Sequence, residues 1–79
     1  MDIKDRALRI LMEQDLWGIG EADTFNEGNH RFTVTRIESG WEWKVEVNPD
    51  AVPHGVATHK FATASRLFRT MFKYLHIQW

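Results

Sequence analysis

The chain of 79 residues contains no cysteine. That excludes disulfides, thiolate zinc sites and a cysteine nucleophile. Serine is almost as scarce. Ser39 and Ser65 are the two present, and neither lies in a G-x-S-x-G setting. Gly18 and Gly20 supply G-x-G without a third glycine, and no strand signal precedes them, so a phosphate-cradling glycine loop is not expected. The four histidines lack the close spacing of metal ligands. His54 and His59 come nearest, across a turn, and a zinc or nickel site there would need an added acid. Ordinary surface or partly buried histidines are the simpler reading. No catalytic constellation emerges, so no enzyme activity, cofactor or metal is expected.

Long apolar runs are missing too. No uncharged stretch approaches the ~18 residues of a membrane span. The opening Met1-Asp2-Ile3-Lys4-Asp5-Arg6 mixes charges where a signal peptide turns apolar. A cytoplasmic location is the resulting expectation, with no membrane partner. Nor is there an excess of either charge. Ten Lys and Arg stand against eleven Asp and Glu, for a net charge of −1, so a whole-chain basic surplus for nucleic acid is absent. Repeats, low-complexity segments and linkers are absent as well, and residues 1–79 read as a single domain.

Aromatic residues are plentiful by contrast. Four Trp, five Phe and one Tyr make up 13% of the chain. A domain this small hides only ~60% of its unfolded surface, so without disulfides it needs a dense core or a second subunit. Each aromatic removes ~150–250 Å² from water when buried. Most of the ten are therefore expected in the core.

Periodicity assigns the elements. Ile3, Ala7, Ile10 and Leu11 share one helical face, Asp2 can cap it, and Gly18 and Gly20 stop it, which predicts a helix over 3–16. Residues 21–30 are polar, acidic and aperiodic, and read as a long loop around an anchoring Phe25. A β-branched and aromatic run at 31–37, a turn at Glu38-Ser39-Gly40, and a strict alternation of Trp41, Trp43, Val45 and Val47 with Glu42, Lys44 and Glu46 predict a hairpin. Asn48-Pro49-Asp50 ends it, and a second loop runs to Gly55. Residues 56–61 read as a third strand. Thr63 can cap a last helix over 64–76, with Ala64, Leu67, Phe68, Met71, Phe72 and Leu75 as its apolar stripe. The expected fold is α+β: a two-layer α-β-β-β-α arrangement with a three-stranded antiparallel sheet covered by two helices.

The near-zero net charge hides an asymmetry. Residues 10–30 hold five acids and no Lys or Arg, whereas residues 51–79 hold four Lys or Arg and no acid. Glu21, Asp23 and Glu27 are the candidate contacts on the acidic side. Arg66, Arg69 and Lys73, on the polar side of the last helix, are the candidates on the basic side. Each group also has a plain reading as solvated surface, and bases near a helix C-terminus suit its dipole. The functional reading is a pair of charged patches that steer a partner.

The α-β-β-β-α order resembles double-stranded RNA-binding domains, in which a basic cluster at the start of the last helix contacts phosphates. Lys60, Arg66 and Arg69 occupy that region, although the stretch reads His59-Lys60-Phe61-Ala62-Thr63 where that family has K-K-x-A-K. The acidic tract from Glu13 to Glu27, the Trp41-x-Trp43 strand and the basic last helix also resemble, in a general way and without a motif match, the small accessory proteins of phages and mobile elements, including anti-CRISPR proteins. That resemblance implies a non-catalytic protein-binding module. Its expected partner is a protein or ribonucleoprotein complex that handles nucleic acid, such as a CRISPR effector, inhibited by occupying a charged surface. Direct nucleic-acid binding through the basic helix is the alternative. The apolar tail Ile77-Gln78-Trp79 adds the expectation of a homodimer that covers it.

Overall fold

The computed structural model describes residues 3–47 and 56–78. The elements run α1 (Ile3–Glu13), a 3-10 turn (Gln14–Leu16), β1 (Ala22–Glu27), β2 (His30–Ile37), β3 (Gly40–Val47), β4 (Val56–Phe61) and α2 (Ala64–Tyr74). The sheet is an antiparallel meander in the order β1-β2-β3-β4, so it has four strands and not the expected three. The fold is α+β, and its order is α-β-β-β-β-α. It therefore departs from the three-stranded order of double-stranded RNA-binding domains. The predicted loop at 48–55, with His54, lies outside the described residues.

The extra strand is β1, in the segment expected to be a loop. Its inward positions are Asp23, Phe25 and Glu27, so two acids break the apolar alternation that marks a half-buried strand. Only Phe25 is buried. An edge strand tolerates this pattern, since inward-pointing charge also discourages pairing with another chain. The turn that creates it is Gly28-Asn29, between paired residues Glu27 and His30. Gly28 has φ +61°, as a type II′ hairpin requires at its first turn position.

Cross-strand register builds one apolar face. Phe25, Phe32 and Val45 lie side by side, and Val34 pairs with Trp43 in the adjacent row. These five, with Trp41, are buried. The helices cover this face with Ile3, Ala7 and Ile10 from α1 and Ala64, Leu67, Phe68, Met71 and Phe72 from α2. On the other face Thr24, Thr33, Lys44 and Thr58 form a cross-strand row of exposed or half-buried polar side chains. Gly40 opens β3 at φ +145°, where a Cβ would strike the carbonyl oxygen of Phe61 on the neighbouring strand. Trp41 is closed in by Trp17, with ring centroids 5.2 Å apart, and by the Arg36 guanidinium 5.2 Å from its ring.

Both helices are shorter than their periodic patterns. α1 ends at Glu13 and tightens into the 3-10 turn, where Trp17 N–H donates to the Gln14 carbonyl. α2 begins as expected: the Thr63 hydroxyl oxygen accepts from Arg66 N–H at 3.2 Å. It closes with paired terminal bonds, Ile77 N–H to the Phe72 carbonyl (2.9 Å) and His76 N–H to the Lys73 carbonyl (3.2 Å), a Schellman arrangement. His76, at φ +58°, stands where glycine is usual. This turn swings Ile77 back against the core, so it is not part of a free apolar tail. Trp79 is outside the described residues.

Candidate functional site

α2 has one face fixed by packing and another free for contact. Leu67, Phe68, Met71 and Phe72 point inward at the helical spacing, which leaves Arg66, Arg69 and Lys73 outward and exposed. Thr63, Ser65, Arg66, Arg69, Thr70 and Lys73 line an open cleft of about 460 Å³ along this outer face. The lining therefore consists of three cations and three hydroxyls. The hydroxyls are not equivalent. Thr70 Oγ1 donates to the Arg66 carbonyl at 2.9 Å, whereas the Thr63 oxygen accepts the capping bond from Arg66 N–H. No carboxylate stands within ion-pair distance of Arg66, Arg69 or Lys73 among the described residues. Such a surface offers charge and directional donors to an anion, with no internal competitor among the described residues.

The acidic candidates are arranged differently. Asp23 faces α1, and Arg6 Nη2 donates to both of its carboxylate oxygens, at 2.8 and 2.9 Å. The same guanidinium lies 5.7 Å from the Phe25 ring centre. Both partners are about one-third exposed, at 32% and 35%. Asp23 thus holds α1 against the edge strand and is not an unengaged docking charge. Glu21 precedes β1 and extends the ladder by one rung: its carbonyl accepts from Arg36 N–H at 2.9 Å. Its side chain is exposed. Glu27 closes β1 opposite His30 and is half-buried. The structure gathers the basic candidates around one cleft and does not gather the three acidic ones in the same way.

A further group escaped sequence reasoning. Trp43 lies among His59 (5.2 Å between ring centres), Tyr74 (5.6 Å) and Phe61 (6.4 Å), and Tyr74 also meets His30 edge-on at 5.7 Å. The Tyr74 hydroxyl stands 3.5 Å from His30 Nε2. Trp43 Nε1 is buried without a hydrogen-bond partner among the described residues. The available signal was pairing, since His59 sits directly across from Trp43 in the β3–β4 register. His59 lies tilted against an indole here, and His54, its suggested metal partner, lies outside the described residues. Among the described residues no three His, Asp or Glu side chains are grouped to hold a metal ion. No described helix is long and apolar enough to cross a membrane.

Comparison with protein-family models, with curated proteins and with solved structures finds no match in any of the three.

Proposed function

We propose that the chain is a non-catalytic binding module that acts by occupying a charged surface of a protein or ribonucleoprotein complex that handles nucleic acid. The outer face of α2 is its contact surface. The observation that carries this reading is the set of Arg66, Arg69 and Lys73 around one open cleft, without a carboxylate partner among the described residues. Unneutralised charge of one sign speeds encounter with the opposite sign and disfavours the wrong partner. Glu21 and Glu27 remain secondary contacts, with Asp23 committed to Arg6. The general likeness to anti-CRISPR accessory proteins makes a CRISPR effector one such complex.

A photo-crosslinking residue at Ser65 tests the proposal. The wild-type background should capture a defined complex from host lysate, with or without nuclease treatment. Arg66→Glu/Arg69→Glu/Lys73→Glu should abolish that capture. Retention of the same partner by the reversed variant overturns the proposal.

The cleft also favours a second reading, direct binding to nucleic acid. Arg66 to Lys73 spans about 10 Å along the helix axis, enough for two or three phosphates. A salt titration with duplex RNA and DNA separates the two readings. Direct binding requires a steep loss of affinity with salt and weakening by Arg69→Glu, and no binding at low salt eliminates it.

A further inference from the structure

A different surface carries an inference independent of the α2 cleft. The exposed large hydrophobic residues among those described are Leu8 (49%), Met12 (85%), Leu16 (80%), Ile19 (69%) and Tyr74 (47%). Four of these five fall within 12 residues of α1 and the turn after it. Ile3, Ala7 and Ile10 bury the inner side of α1, so Leu8 and Met12, four residues apart, form a ridge on its outer side. Leu16 and Ile19 follow α1 directly in the chain and are exposed as well. Folding alone gains nothing from leaving this much aliphatic surface in water.

The charges beside the ridge indicate what covers it. Arg9 and Glu13, one turn apart on the same flank of Met12, make no ion pair within the chain among the described residues. In an antiparallel helix pair around a twofold axis near Met12, the same flank of each helix meets its counterpart. Arg9 of one copy then approaches Glu13 of the other, twice by symmetry. Leu8 faces Leu16, Met12 faces Met12, and the helix dipoles run in opposite directions. In a parallel pair that flank would meet the opposite one, and no reciprocal Arg9–Glu13 contact would form.

We propose that the outer face of α1 is the interface of a symmetric, antiparallel homodimer, with Met12 at the twofold axis and reciprocal Arg9–Glu13 pairs beside it. The apolar ridge offers a few hundred Å² per copy, which belongs to the smaller, weaker class of protein interface. The dimer should therefore be reversible, and it carries two α2 clefts. This surface, and not the tail at 77–79, is the site of self-association.

The test uses the whole chain. Sedimentation equilibrium from low to several hundred micromolar should show reversible dimerisation, and Met12→Lys should abolish it with an unchanged circular dichroism spectrum. Arg9→Glu and Glu13→Arg should each weaken the dimer at least several-fold, and the double swap Arg9→Glu/Glu13→Arg should restore it. The absence of cysteine permits a positional readout. Met12→Cys should oxidise to a disulfide-linked dimer. Leu8→Cys and Leu16→Cys should link to each other when mixed, in preference to themselves. A monomer at the highest concentration overturns the proposal. So does a dimer indifferent to Met12→Lys, or a monomer whose ridge instead binds a foreign protein or a vesicle of neutral lipid.

Discussion

The chain has two stretches of concentrated charge, and the structure uses them differently. On β1, Asp23 is bound by Arg6, and that pair joins the first helix to the edge of the sheet. On α2, Arg66, Arg69 and Lys73 surround a cleft and have no carboxylate partner among the described residues. The two stretches look symmetrical in sequence, five acids in one segment against four bases in another. They differ in what faces them. A charge facing a helix from the rim of a packed face finds a counter-ion there or bears a desolvation cost. A charge on the outer face of a covering helix keeps its water, and stability puts little constraint on it. Charge held within the fold contributes to its assembly, and charge left outside is available to a partner.

Four effects, ranked by size, measure this contrast. The largest effect belongs to the packed side of α2: Leu67→Ala should cost about 3 kcal/mol in urea denaturation, because it opens a cavity beneath the helix. Arg69→Ala, two positions along, should stay within about 0.5 kcal/mol. Equal costs for the two would mean that the outer face is structural after all. Next comes the clasp on β1. Asp23→Ala should lower stability by about 1 kcal/mol, and a double-mutant cycle with Arg6→Ala should recover most of that as coupling. Glu21→Ala should show neither loss nor coupling, and a loss matching that of Asp23 would erase the distinction drawn among the acids.

The third effect is a gain. His76→Gly should stabilise the chain by about 0.5–1 kcal/mol, because a side chain held at positive φ is strained and glycine is not. No gain in thermal denaturation would show that the end of α2 carries no such strain. The smallest change in stability should come from the largest change in charge. Arg66→Glu/Arg69→Glu/Lys73→Glu should shift unfolding by about 0.5 kcal/mol or less in total and still eliminate partner capture. Substantial unfolding of that variant would place these cations among the groups that hold the structure together.

Much of the framework was legible from spacing. The α2 stripe and the β3 alternation are long enough to fix helix and strand, because each places its apolar residues on one side. β1 was not legible from periodicity. Its inward positions carry Asp23 and Glu27, and the partner that makes Asp23 tolerable, Arg6, is 17 residues away. The Gly28-Asn29 pair was the overlooked local sign of a hairpin. At the candidate site, the row of Arg66, Arg69 and Lys73 could be read directly, whereas its lack of counter-ions among the described residues could not. The Trp43, His59, Tyr74 and His30 cluster joins three strands and a helix, so no local pattern could announce it.

The order of residues by itself determined the two amphipathic helices, the β2–β3 hairpin, the mixed α+β class and the segregation of acids from bases. These follow from the periods of helix and strand, which depend only on near neighbours. Tertiary structure alone decided that β1 is a strand, that Asp23 belongs to Arg6, that Ile77 turns back onto the core, and that the α2 cations and the α1 ridge stay in contact with solvent. The physical reason is that burial and ion pairing depend on distances between segments far apart in the chain, and those distances are set when the helices close over one face of the sheet.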